Sequence, residues 1–313
     1  MHKLAVVIMA AVVLALSVSG VSGAPPAHTP VAPAVPAGWQ TIMSEDFEGA
    51  WPGSKWTVTD VSNDGFQRYW GKEDFEPASA TYPDWPGNWS AWPASGGTDA
   101  VDPATWPYPD GMSTQMIYGP FDLSDALAAE VRFWVWLETE VYEERDYLSL
   151  DLSSDGTHFG FGGFWEGTLD WTEVPIDLAS YMGDPTVWVR WEFGSDLSVG
   201  LGGAFVDNIT ISKLPLAAPA VTISRSGSTI SLSWTADANA IGYEVWWGIN
   251  DPYFTPGTSC PGTNCAVVAT PPYPHNNPVS TMDNYTYVVR AVSGNSRSAF
   301  GNRVSEFDFA LIR

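Results

Sequence analysis

Basic, histidine and cysteine side chains are scarce in this chain of 313 residues. Lysine and arginine together number 13 against 36 aspartates and glutamates, so the formal net charge is −23, and there are 4 histidines and 2 cysteines. Nucleic-acid binding needs clustered lysine and arginine to neutralise phosphates, so the composition excludes a nucleic-acid partner. The same acidity disfavours an anionic membrane surface as a partner.

Motifs of common catalytic centres are also absent from the sequence. It contains no His-Glu-x-x-His zinc motif, no Gly-x-Ser-x-Gly nucleophile elbow and no glycine-rich phosphate loop before a helix. His158 follows an Asp-Gly turn signal, and we interpret it as a turn or strand residue rather than a general base. The sequence therefore predicts a protein that is not an enzyme.

Long hydrophobic runs are confined to the N-terminus. Residues 4–18 are apolar and follow a short basic segment, but a membrane-spanning helix takes about 20 such residues. Small residues then lead to Gly23. We predict a signal peptide over residues 1–23, with an uncleaved anchor as the alternative, and so a secreted chain with no membrane insertion after cleavage. A Pro/Ala-rich linker is predicted over residues 24–37.

The two cysteines lie close together, as Cys260 and Cys265. An even number of cysteines in an exported chain predicts a disulfide. The closed loop is short, so we expect this bond to stiffen one loop rather than to hold the whole fold together.

Strand patterns are abundant and helix signals are few. Apolar and polar residues alternate over 131–137, 147–152 and 186–193, and Asp-Gly or Gly-Gly pairs mark turns. We predict an all-β chain with a jelly-roll β-sandwich over residues 38–213 and a linker over 214–219. The predicted strands of residues 220–313 have the number and spacing of an immunoglobulin-like sandwich.

The last domain resembles a fibronectin type III module. The matching segments are residues 230–234, 242–246 and 285–292. The resemblance implies that Trp234, Tyr243 and Tyr287 are core and corner residues rather than ligand contacts. The insert over residues 250–265, which carries both cysteines, departs from the family pattern.

The first domain resembles jelly-roll modules of large bacterial secreted proteins, often found beside metalloproteases of the immune inhibitor A type. These modules are distantly similar to MAM domains and to several carbohydrate-binding modules. The matching segments are residues 46–49, 116–124, 148–156 and 203–209. The resemblance implies first and last strands that share a structural calcium, with Glu48 and Asp207 as ligands and Asp46 beside them. The alternative is that these carboxylates are solvated edge residues or hydrogen-bond caps.

Tryptophan is the most informative residue that is abundant here. Of 17 tryptophans, eight lie from Trp39 to Trp106. Aromatic rings either fill a sandwich core or form platforms for sugar rings, and we favour packing for the run as a whole, with Trp92 structural. A ligand-binding hypothesis rests on the exposure of Tyr82, Trp85, Trp89, Trp106 and Tyr108.

These observations predict a secreted, non-catalytic protein that binds extracellular carbohydrate or a cell-surface polymer through its jelly-roll domain. A protein-interaction or adhesion module of an extracellular assembly is the alternative. A glycosidase would need a pair of carboxylates in the acidic run 138–146. That run is otherwise interpreted as a solvated loop or a second cation site.

Overall fold

The computed structural model describes residues 36–74, 89–141, 146–258, 260–276 and 283–306. Regular structure in these ranges is almost entirely β-strand, with one short 3-10 helix at Ala179–Tyr181. No helix within them is long and apolar enough to cross a membrane. The predicted signal peptide lies outside the described residues.

Eleven strands from the described residues up to 215 form two antiparallel sheets. The first sheet has the order β3-β4-β11-β6-β9, with β1 also paired to β11, and the second has the order β2-β5-β10-β7-β8. The strands are β1 (Gln40–Glu45), β2 (Trp56–Asp60), β3 (Tyr69–Asp74), β4 (Trp89–Gly96), β5 (Ser113–Phe121), β6 (Ala126–Glu138), β7 (Tyr147–Ser153), β8 (Gly160–Trp165), β9 (Thr168–Asp177), β10 (Val187–Gly194) and β11 (Gly203–Pro215).

The core between these two sheets follows from the alternation of side chains along each strand. In β6, Phe133 and its alternate neighbours are fully buried while the residues between them stay partly exposed, as a strand with one face on a core requires. The Phe133 ring meets the buried ring of Trp191 from β10, edge to face, at 5.7 Å between centroids. The two sheets therefore pack face to face as the predicted β-sandwich.

The remaining strands enclose a second core. Sheets form in the orders β12-β13-β16 and β15-β14-β17-β18, with β19 also paired to β17. These strands are β12 (Thr222–Ser226), β13 (Thr229–Ser233), β14 (Gly242–Ile249), β15 (Cys265–Val268), β16 (Tyr273–His275), β17 (Tyr285–Ser293), β18 (Ser296–Arg297) and β19 (Val304–Glu306). Trp234, Tyr243 and Tyr287 are buried in this core, as predicted.

The all-β class and the disulfide are both confirmed. Cys260 and Cys265 are bonded, with 5.7 Å between their Cα atoms. The bond closes the end of the loop between β14 and β15, so it stiffens that loop as expected.

Candidate functional site

The predicted ligand-binding aromatic residues differ in their exposure to solvent. Trp89 begins β4 and is 38% exposed, and the Lys72 ammonium lies 4.8 Å from its ring centroid. Trp106, in the loop between β4 and β5, is 63% exposed. Tyr82 and Trp85 lie outside the described residues.

Tyr108 is buried, so the prediction that it is exposed is wrong. Only 1% of Tyr108 is accessible, and its ring meets Phe193 of the core edge to face at 5.0 Å. Its hydroxyl donates a hydrogen bond to the Asp146 carboxylate, which lets a polar tip enter the core without losing its hydrogen bond. Trp92 is fully buried, and its indole N–H donates to the Gly202 carbonyl at 2.9 Å, which confirms its structural role.

An acidic group surrounds the Tyr108 hydroxyl. One carboxylate oxygen from each of Glu140, Asp146 and Asp196 lies within 4.8 Å of the others. Asp146 is fully buried and also accepts the Asp196 backbone N–H at 2.7 Å. Burial raises the pKa of Asp146, although the hydrogen bonds from Tyr108 and from the Asp196 backbone oppose that rise. Burial and the Asp146 bond raise the pKa of Tyr108 as well.

This arrangement changes the interpretation of the acidic run. The solvated-loop interpretation is wrong for Thr139 and Asp146, because both are buried. A glycosidase acid must reach its substrate, whereas both Asp146 oxygens accept hydrogen bonds from within the fold. The geometry therefore gives Asp146 a structural part.

The predicted calcium ligands lie where β1 ends beside β11. Glu45 pairs with Ile209, so Asp46 and Glu48 follow directly next to the buried Asp207. The Asp207 carboxylate accepts the Asn208 backbone N–H at 2.6 Å and its side-chain amide at 3.2 Å.

Calcium needs six to eight oxygen ligands, so three carboxylates would need carbonyl or water oxygens to complete the set. Glu48 accepts the Trp89 backbone N–H at 3.0 Å. Within the described ranges, the 4.8 Å spacing is met by the Glu140 group and not by Asp46, Glu48 and Asp207. The predicted ligands therefore adjoin one another but do not form a compact carboxylate shell in this geometry.

A polar row crosses the outer face of the second sheet, and sequence reasoning missed it. Its members are Gln115, Asp151, Arg190 and Glu192, which alternate with core residues on β5, β7 and β10. The Arg190 guanidinium donates to Asp151 at 2.9 Å and lies 3.4 Å from a Glu192 oxygen. The Gln115 amide donates to Glu192 at 2.8 Å. These bonds link three strands into one network of donors and acceptors.

Aromatic rings border the polar row. Phe161 of the edge strand β8 is the Cα partner of Asp151, so the two share the outer face, and Phe161 is 76% exposed. The Arg190 guanidinium carbon lies 4.5 Å from the Phe159 ring centroid. Near one end of the row, Tyr147 stacks on Phe164 at 5.3 Å and donates its hydroxyl to Glu192 at 3.3 Å.

Glycines make room for the rings at both ends of this face. A Cβ on Gly194 would lie 2.6 Å from Tyr147 Cε1, and one on Gly119 would lie 2.6 Å from Trp188 Cδ1. Trp188 and Gly194 are six residues apart on β10, which corresponds to about 20 Å at ~3.3 Å per residue. We call the polar row with these bordering rings the outer-face site.

The sequence held part of the signal for this site. Alternation along β10 places Trp188, Arg190 and Glu192 on one face, and that pattern is visible in the sequence. The partners Gln115 and Asp151 come from other strands, so only the strand order and register reveal them.

Comparisons with solved structures show distant likeness. A cleaved adhesin domain of Lys-gingipain from Porphyromonas gingivalis is similar over 55% of this chain and 97% of its own, at 19% identity and a TM-score of 0.36. A second cleaved adhesin domain of Lys-gingipain matches 56% of this chain and 100% of its own, at 13% identity and a TM-score of 0.37. A xylan-binding domain from CBM 22 matches 56% and 97%, at 10% identity and a TM-score of 0.32. At these values the likeness carries no argument about function.

No protein-family model matches the chain, and no curated protein matches it.

Proposed function

We propose that the protein is a secreted, non-catalytic module that binds neutral extracellular carbohydrate at the outer-face site. The observation that carries the proposal is the exposed Phe161 ring beside the hydrogen-bonded row of Asp151, Arg190 and Glu192. Sugar rings present apolar C–H faces to aromatic side chains and hydroxyl edges to donors and acceptors. The distance between Trp188 and Tyr147 suits an oligosaccharide better than a single sugar.

Charge favours a neutral polymer. The polar row carries one guanidinium and two carboxylates, and Arg190 is already in contact with both carboxylates. The chain as a whole has a formal charge of −23. An anionic polysaccharide would therefore meet repulsion with no unpaired cation in the row to offset it.

Binding to a panel of neutral polysaccharides, before and after substitution, tests this proposal. Phe161→Ala removes an exposed ring, so the fold is retained, and we expect a loss of about 1 kcal/mol, or roughly fivefold in affinity. Leu197→Ala is the control, because Leu197 is an apolar residue that is 85% exposed in the loop between β10 and β11, away from the outer-face site. Equal affinity of the Phe161→Ala variant and the unmodified chain would refute the assignment.

The tryptophan hypothesis remains open to the same assay. Trp89→Ala and Trp106→Ala variants test those two exposed rings, and a Trp85→Ala, Tyr82→Ala variant tests the residues outside the described ranges. A loss of polysaccharide binding in these variants, with Phe161→Ala unaffected, would move the site to the aromatic run.

A protein-interaction or adhesion module is the second candidate. Trp106, Leu197 and Val199 are all exposed, at 63%, 85% and 56%, on two loops joined by a hydrogen bond from the Tyr108 backbone N–H to the Leu201 carbonyl at 3.0 Å. Val199 has a φ of 58°, which β-branched residues rarely adopt outside functional or strained positions. Cross-linking to cell-surface proteins that is lost in a Trp106→Ala, Leu197→Ala variant would support this candidate.

The finer assignments belong to the same proposal. Residues 1–23 direct export, residues 38–213 form a MAM-like jelly roll, and residues 220–313 form a fibronectin type III domain. The disulfide between Cys260 and Cys265 supports an oxidising compartment. A structural calcium joins the end of β1 to β11, held by Glu48, Asp207 and Asp46, and the burial of Asp207 supports it.

A further inference from the structure

A cavity lies in the second half of the chain, between β14 and the loop 250–264. We propose that it binds a single neutral sugar residue, as a second site separate from the outer-face site. The inference shares the class of ligand with the proposed function and is otherwise independent of it. The cavity is open to solvent on one side and has a volume of about 300 Å³.

The loop over the cavity is fastened near its beginning. The Asn250 backbone N–H donates to the Asn284 carbonyl at 2.8 Å, and its side-chain amide donates to Asp283 at 2.8 Å. Further along, the Arg303 guanidinium donates to the Phe254 carbonyl at 2.8 Å.

The loop is also fastened at its far end. The disulfide joins Cys260 to Cys265, the first residue of β15. The Trp247 backbone N–H donates to the Asn264 carbonyl at 3.0 Å. A cavity whose wall is held in this way loses little conformational entropy when a ligand enters.

Two glycines allow aromatic rings to approach the backbone around the cavity. A Cβ on Gly248 would lie 2.5 Å from Phe254 Cδ1, and one on Gly257 would lie 2.9 Å from Trp246 Cζ3. Both rings therefore pack directly on backbone, and both residues line the cavity.

The lining combines aromatic carbon with neutral and acidic polar groups. Trp246 and Phe254 supply apolar surface, while Asp251, Thr255 and Asn264 supply hydroxyl, amide and carboxylate groups. None of the described residues that line the cavity is basic and Asp251 is acidic, so a phosphate or carboxylate ligand would meet a negative charge in the lining itself. A sugar ring fits such a lining, because its apolar face packs on aromatic carbon and its hydroxyl groups form hydrogen bonds with the polar side chains.

The charge near the cavity and its volume further restrict the class and the size of the ligand. The Arg303 guanidinium carbon lies 5.0 Å from the Phe254 ring centroid, so an organic cation on that ring would meet a positive charge already present. Ligand pockets range from about 300 to 1,000 Å³, and this cavity lies at the lower end. It therefore suits one sugar residue rather than a chain.

Methyl glycosides of neutral hexoses and pentoses are the probes, measured by titration of the full chain with saturation-transfer NMR. Asp251→Asn keeps an oxygen for the Tyr253 backbone N–H, which Asp251 accepts at 3.0 Å. Thr255→Trp fills the cavity. Asp237→Asn is the matched control, because Asp237 accepts the Asn239 backbone N–H at 2.8 Å in the same kind of turn elsewhere.

We expect at least one glycoside to bind with a Kd on the order of 1 mM. Affinity should fall about tenfold in Asp251→Asn, vanish in Thr255→Trp, and stay unchanged in Asp237→Asn. Thermal unfolding reports whether Thr255→Trp folds, and if it does not, Asp251→Asn decides.

Several results overturn the inference. These are no binding of any neutral glycoside, equal binding by Asp251→Asn and the unmodified chain, or displacement of the glycoside by inorganic phosphate or tetramethylammonium. Glycoside binding that is lost in Phe161→Ala but kept in Asp251→Asn also overturns it, while supporting the outer-face site. If Phe161→Ala leaves polysaccharide binding unchanged while Asp251→Asn weakens glycoside binding, the outer-face site is refuted and sugar binding in the cavity is supported.

Discussion

The hydrogen bond from Tyr108 to Asp146 predicts a stability change that depends on pH. Tyr108→Phe removes the hydroxyl but keeps the buried ring against Phe193. Asp146 then keeps the Asp196 backbone N–H and loses its bond from Tyr108. A hydrogen bond to a charged group contributes about 1.5–3 kcal/mol, so we expect a loss of about 2 kcal/mol in the free energy of unfolding at pH 7.

The loss should shrink as the pH falls. The pKa of Asp146 is raised in the folded chain, mainly by burial, so the folded state binds more protons than the unfolded state. Stability from this group therefore falls as pH rises from the unfolded pKa, about 3.9, through the folded pKa. Removing the tyrosine hydroxyl raises the folded pKa further, so the variant is penalised most at pH 7. As the pH falls through the folded pKa the carboxyl takes up a proton, and we expect the loss to shrink to about 1 kcal/mol.

Urea unfolding followed by tryptophan fluorescence measures this difference, since most of the tryptophans precede residue 215. Tyr181→Phe is the control, because the Tyr181 hydroxyl donates to the Leu152 carbonyl, a neutral group, at 3.0 Å. Its loss should be the same at both pH values. An equal loss at pH 4 and pH 7 for Tyr108→Phe, or no smaller loss when Asp146→Asn is already present, would show that the reasoning is wrong.

Three further predictions concern calcium, packing and the disulfide. Calcium at about 100 times its Kd should stabilise the chain by about 2.7 kcal/mol relative to a chelated sample. Glu48→Gln should abolish that stabilisation, and Glu140→Gln should retain it. Identical unfolding midpoints with and without chelator would count against a calcium site. Gly194→Ala should displace the Tyr147 ring, lower the free energy of urea unfolding by about 1–3 kcal/mol and weaken polysaccharide binding. Unchanged stability would contradict the close approach of the ring to Gly194. Replacing both Cys260 and Cys265 with serine should lower the free energy of unfolding by about 2 kcal/mol and weaken methyl glycoside binding. Calorimetry measures both quantities, and if neither changes, the disulfide does not stabilise the loop.

Local patterns predicted the strands well and the surroundings of single side chains poorly. The alternation over 186–193 corresponds to β10, and the pattern over 147–152 corresponds to β7. The acidic run is different, because Thr139 and Asp146 are polar yet buried. Charge alone predicts exposure, and burial becomes tolerable only when a hydrogen-bond partner from elsewhere in the chain is present.

An acidic, all-β chain with a short disulfide loop and a core rich in tryptophan could be predicted from the amino-acid sequence. Strand alternation, turn residues and cysteine spacing involve only a few neighbouring positions, so these patterns can be interpreted without a structure. The inward turn of Tyr108 to Asp146, and the position of Phe161 beside Asp151 and Arg190, became visible in the three-dimensional structure. Those meetings depend on the order and register of strands far apart in the chain, and a one-residue shift would place each side chain on the opposite face.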